Sequence, residues 1–134
     1  MWLSLFENGE IVKSIYGDQI PSLDNIYLHE VKIVNGEELQ CYLRFDLNIL
    51  PQSRPLKWAR KAVNTVQLDV ILLGAEIISF STSGGDMIGE LQITSIGNFK
   101  KVSFVVNGTD IFVFQAKWLD VRNITGYING NKAF

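Results

Sequence analysis

The sequence predicts a mostly-β chain: a single-domain antiparallel meander of about seven or eight strands, folded as a sandwich or a curled half-barrel and closed by a short N-terminal helix. Three observations predict it. Leu39, Cys41, Leu43, Phe45 and Leu47 alternate strictly with Gln40, Tyr42, Arg44 and Asp46, and Val66, Leu68, Val70 and Leu72 repeat that period of two. Asn35-Gly36 and Asn107-Gly108 are strong short hairpin signals between such runs. Finally, the runs 76–82, 101–106 and 109–118 carry apolar residues in both phases, which a flat sheet with one wet face would not do.

The elements follow in order. Ile11, Ile15 and Tyr16 are helically spaced within Glu7–Tyr16, with Asn8 as the candidate cap and Gly17 as the stop. A loop, "DQIPSLDN", precedes a β-branched strand over 25–34, which the first Asn-Gly joins to the alternating strand 39–47. "LPQSRPLKW", Leu50 to Trp58, reads as a stiff cationic loop. A strand over 65–73 turns at Gly74-Ala75 into 76–82, and the glycine-rich "STSGGD" separates this from a strand over 88–96. Strands over 101–106 and 109–118 flank the second Asn-Gly, 121–127 is the last strand, and the tail "NGNKAF" reads as frayed. The period-2 placement predicts Leu39, Leu43, Phe45, Val66, Leu68, Val70, Phe112 and Phe114 as core.

A chain of 134 residues, 47% hydrophobic and 19% charged, can bury a real core and is not dominated by disorder. Its net charge of −2 argues against nucleic-acid binding through the overall field. Yet Arg54, Lys57, Arg60 and Lys61 hold four of the twelve basic residues; setting them aside leaves eight against fourteen acidic ones, so the remaining surface is anionic. One cysteine, Cys41, permits no intrachain disulfide and points to a reducing compartment. "MWLSLF" lacks the features of a signal peptide, and no apolar run reaches the ~18 residues of a membrane span. The expectation is a cytoplasmic protein without membrane contact, in which the sequons at Asn107 and Asn123 are incidental.

Catalytic chemistry is thinly supplied. His29, the single histidine, lies in "YLHEV" on a strand and reads as structural, and Cys41 reads as a small buried hydrophobe. "STSGGD" lacks the lysine and following helix of a phosphate-binding loop, Glu37-Glu38 reads as solubilising charge, and zinc and EF-hand spacings are absent. No catalytic, cofactor or metal site is expected. Trp58 is expected to fold under its loop and cap the core; Arg54, Lys57, Trp58, Arg60 and Lys61 together form the candidate partner-binding set.

Ordered patterns carry a resemblance: "IYG" at 15–17, "IPSLDN" at 20–25, "LHEVKI" at 28–33, Leu50-Pro51, "PLKW" at 55–58, "NTVQLDV" at 64–70 and "ITGY" at 124–127. Together they resemble the immunity protein 50 family of bacterial polymorphic toxin systems, over about Leu3 to Tyr127. The resemblance implies one β-rich, non-enzymatic immunity-type domain over 1–134, which binds and neutralises the C-terminal domain of a cognate toxin. It carries over no contact residues, because its shared motifs are apolar or turn-forming, and it assigns no oligomeric state. Two rivals remain open at this point: a small-molecule or carbohydrate-binding β module using Tyr42, Trp58 and Trp118, and a hydrolase, which needs His29 beside a carboxylate in a cleft.

Overall fold

The computed structural model describes residues 1–130. A 3-10 turn, Trp2–Leu5, and helix α1, Glu10–Tyr16, precede strands β1, Ile26–Val34, and β2, Gln40–Asp46. A five-residue helix α2, Leu56–Arg60, leads into β3, Thr65–Leu73, and β4, Glu76–Phe80. Strands β5, Ile88–Ile96, β6, Phe99–Val106, β7, Thr109–Ala116, and β8, Trp118–Tyr127, complete the chain. The eight strands form one antiparallel sheet in the order β4-β7-β6-β5-β1-β2-β3-β8, and it is not closed.

That order divides into two meanders, β1-β2-β3 and β5-β6-β7, each lengthened by a strand from the other side of the sequence. Strands β1 and β5 join the halves through two ladder pairs, Ile26 with Gly89 and Tyr27 with Ile88, and the Leu28 N–H donates to the Met87 carbonyl at 2.9 Å beside them. The short connections dictate the curl. Gly74 and Ala75 alone lead from β3, near one end of the strand order, to β4 at the other end, so the two ends approach within ~11 Å there. Lys117 alone makes the return crossing from β7 to β8. Its backbone N–H donates to the Leu73 carbonyl at 2.9 Å and its ammonium to Glu38 Oε1 at 2.6 Å, which pins the corner.

The expected strand phases hold. Leu43, Phe45, Val66, Leu68, Val70, Phe112 and Phe114 are buried, while Leu39 is partly buried against the same core. Phe112 and Phe114, two residues apart on one face, stack with centroids 4.4 Å apart. Asn107 and Gly108 both take positive φ and close a two-residue hairpin from Val106 to Thr109.

Other boundaries differ, each for a local reason. Asn8 does not cap α1; Gly9 occupies that position, because both amide atoms of Asn8 are bonded to Val121. Those bonds, with Glu7 N–H to the Leu119 carbonyl at 2.9 Å, cover the outer edge of β8. The first Asn-Gly belongs to a five-residue hairpin loop, 35–39, with neither residue at positive φ. Strand β6 starts earlier than expected, at Phe99, and the run 109–118 ends at Ala116, after which β8 begins at Trp118. Strand β4 stops at Phe80 and is exposed throughout, since it is an edge strand with the single neighbour β7. Of the tail expected to fray, 131–134 lie outside the described residues.

Gly89 is the weak point of the joint. A Cβ built there would lie 2.2 Å from the Val105 carbonyl oxygen, so a side chain can enter only by displacing β6 backbone. Gly89→Ala is expected to cost ~1–3 kcal/mol, the range for overpacking, read as a lower urea midpoint. An unchanged midpoint would show that the two-pair joint does not need this close approach.

Candidate partner-binding face

Antiparallel order places the starts of β1, β3 and β5 and the ends of β2 and β8 at one end of the sheet. There a cavity of about 730 Å³ opens, with Tyr27, His29, Asp46, Ile88 and Tyr127 among its lining. Asp46 follows the outward phase of β2, yet its side chain is only 7% exposed. It lies in register between Tyr27 on β1 and Gln67 on β3. Three groups meet its carboxylate: His29 Nε2 at 2.8 Å and the Tyr127 hydroxyl at 2.5 Å on Oδ2, and Gln67 Nε2 at 3.2 Å on Oδ1.

A bulge positions the histidine. Leu28 pairs with Phe45 and Glu30 with Arg44, leaving His29 as the extra residue of β1. Bulges re-aim a side chain, and this one turns the imidazole toward Asp46 with its ring 4.7 Å from that of Tyr27. One requirement of a hydrolase is therefore present, a histidine on a carboxylate in a cleft. The cavity lining brings no serine or cysteine to it, and the Thr65 hydroxyl donates to Asn64 Oδ1 at 2.9 Å. The thiol of Cys41 is buried in the core.

The segment after β2 is shaped from within. What reads as a loop contains α2, entered through Pro55 at the N-cap. Trp58 is 8% exposed and covers Gly126 of β8, as expected for a ring folded under its own segment. A Cβ on Gly126 would come within 2.8 Å of the indole carbons and 2.7 Å of Val63, so glycine there makes room for the ring. With Trp58 inside, Arg54, Lys57, Arg60 and Lys61 are all exposed, and among the described residues none of the four joins an ion pair. Leu56, 65% exposed, supplies apolar surface beside them.

Asn64 couples this segment to the cavity wall. Its backbone N–H donates to the Tyr127 carbonyl at 3.1 Å, and its side chain bonds both backbone groups of Asn129, at 3.0 and 2.7 Å. The cationic segment and the cavity thus belong to one end of the sheet. The structure leaves four of the five sequence-selected residues at the surface and withdraws Trp58 from it, while the cavity beside them brings His29 and Tyr127 onto the buried Asp46. The other aromatics of the ligand-binding rival are scattered. Tyr42 lies mid-strand with Lys32 4.7 Å and Arg122 5.7 Å from its ring centroid, and Trp118 is nine residues along β8 from Tyr127, ~30 Å of extended chain.

Burial pushes the Cys41 thiol up from its ordinary 9.0 to about 11. It also holds the Tyr16 and Tyr127 phenols above their ordinary range, with the bond to Asp46 as the second cause in Tyr127. All three groups keep in the folded state a proton that the unfolded chain releases earlier. The Cys41 contribution to stability is therefore complete below pH 9.0 and lost as pH rises through about 11, and the contributions of the two phenols are lost only at higher pH. Urea midpoints measured on either side of this window should fall with pH; a flat profile would contradict the burial of these groups.

Among the described residues no helix is long and apolar enough to cross a membrane, and no group of three or more His, Cys, Asp or Glu could hold a metal ion. The family model described as Immunity protein 50 matches residues 8–127, from the Asn8 bonds on β8 to Tyr127 in the cavity. No curated protein and no solved structure gives a match.

Proposed function

The chain belongs to the immunity protein 50 family, and from that membership we propose that it is a cytoplasmic, non-enzymatic protein that binds and neutralises the C-terminal toxic domain of one cognate toxin. The observation that carries this reading is the extent of the match, 8–127, which takes in every strand of the sheet. Neutralisation by binding needs slow dissociation, hence well-packed contacts, and charged groups that steer the encounter.

The segment from Leu50 to Lys61 suits such a contact. Pro51 and Pro55 restrict it, Trp58 anchors it from beneath, and little order remains to be lost on docking. Arg54, Lys57, Arg60 and Lys61 can then offer charge-assisted hydrogen bonds to an acidic cleft, with Leu56 as the apolar contact in place of Trp58. Binding there would block the toxin either by covering its active site or by distorting it.

The test is the triple variant R54E/K57E/R60E against the C-terminal toxic domain of the cognate toxin. Its urea midpoint should match wild type, since exposed charges rarely govern stability. Affinity should fall ~10-fold or more if these residues lie centrally; at a rim, the association rate and its salt dependence should change most. Wild-type protection, affinity and association rate together would exclude this segment. A toxic domain that does not bind the wild-type chain would exclude the functional reading itself.

A further inference from the structure

We propose that the cavity between Tyr27 and Tyr127 is a socket for one cationic side chain, arginine or lysine, of the bound toxin. This inference rests on the toxin-binding reading and adds the class of group that enters beside the cationic segment.

The charge pattern points that way. Among the described residues no lysine or arginine lines the cavity, and its acidic residue is Asp46, sunk in the floor. The groups on Asp46 are an imidazole nitrogen, a phenol and a carboxamide, so no lysine or arginine neutralises it. Asp24 is next in sequence to the lining Asn25, Glu90 is two residues beyond the lining Ile88, and the two side chains are hydrogen-bonded to each other. An anion entering here would meet the Asp46 carboxylate at the floor. A guanidinium or ammonium would meet a floor of its opposite charge.

The acceptors are in place. In the neutral tautomer that donates from Nε2 to Asp46, His29 carries a lone pair on Nδ1, and that atom has no partner among the described residues. The Asn48 amide nitrogen is held by the Ser22 carbonyl and hydroxyl and by the Asp24 carbonyl, leaving Oδ1 as its acceptor. The walls suit the rest of such a side chain. Ile88 and Ile128, 49% and 57% exposed, can cover a methylene stem, and the Tyr27 and Tyr127 rings can hold a flat cation by its face. The volume, about 730 Å³, lies within the range of built ligand sites and leaves room for the chain that carries the side chain. Outside 54–61 the chain is also acidic in balance, which favours a basic partner.

The single histidine gives an unambiguous reporter, because its ring resonances need no assignment among others. The probes are N-acetyl-arginine amide and its neutral isostere N-acetyl-citrulline amide. The arginine probe should shift the His29 ring signals saturably, and the citrulline probe should not. Ile128→Arg places a competing cation at the mouth on an exposed position, so it should keep the fold, abolish that shift and weaken the toxic domain ~10-fold or more. Equal shifts from both probes, or none from arginine, would overturn the socket while leaving toxin binding by the wild type intact. Wild-type toxin affinity in Ile128→Arg would also overturn it. If the toxic domain fails to bind the wild-type chain, the functional reading falls instead, whatever the probes do at His29.

Discussion

Replacing Trp58 with alanine is expected to destabilise the fold by ~3–5 kcal/mol, the range for truncating a large buried aromatic residue. The indole fills the space that Gly126 leaves on β8 and that Val63 bounds, so its loss opens a void that neither neighbour can fill. It also removes the buried anchor of α2, a five-residue helix too short to persist by its own propensity. The urea midpoint should drop sharply at unchanged slope. A loss below ~1 kcal/mol would place the ring outside the core. Toxin binding should weaken as well, because Arg54, Lys57 and Arg60 lose the frame that spaces them. Trp58→Phe, which retains part of the volume, should fall between alanine and wild type on both measures. Binding that fails while the midpoint stays high would instead assign Trp58 a direct contact.

Trp58 also illustrates how far the sequence could be read. Its burial follows from residue type, and the strands 65–73 and 88–96 were legible to the residue from alternation and turn chemistry. Local pattern cannot specify which strand lies beside which. The pairing of β1 with β5 and the placement of β4 beside β7 join residues far apart in sequence, and only the curl of the whole sheet brings them together. The exposure of Ile77, Ile78 and Phe80 follows from β4 being an edge, a property of the strand order that composition does not encode.

The site divides in the same way. The cationic cluster was visible because its members are neighbours in sequence and exposed. His29 was visible as the single histidine, but its role was not, because the bulge that turns it toward Asp46 leaves no local signature. Asp46 falls in the polar phase of β2, opposite the apolar set, and by that argument a polar residue there faces water. That argument fails because the wet face of a strand becomes a cavity floor wherever the end of another strand closes over it. Here Tyr127, at the end of β8, supplies that cover.

Asp46→Leu is therefore expected to be costly for a residue in an outward phase, about 3 kcal/mol, because it removes a buried carboxylate that accepts three hydrogen bonds. The His29 side chain, 33% exposed, can turn to solvent in the cavity and adds little to that cost. Leucine would strand the Gln67 amide and the Tyr127 hydroxyl against an apolar surface, with a penalty for each donor left unpaired. Asp46→Asn should cost less, ~1–2 kcal/mol. A carboxamide keeps one acceptor oxygen, and Gln67 can rotate to present its own oxygen to the new amide. The Tyr127 phenol offers an independent readout through its phenolate absorbance. Burial is the larger cause of its raised pKa and Asp46 the second, so in Asp46→Asn its ionisation should move down only part of the way to the ordinary tyrosine range. An Asp46→Leu chain as stable as wild type, with the Tyr127 titration unmoved in Asp46→Asn, would mean that the carboxylate neither organises the cavity nor holds the Tyr127 proton. A large loss of stability with that partial shift would establish Asp46 as the residue that fixes His29 and Tyr127 in the cavity.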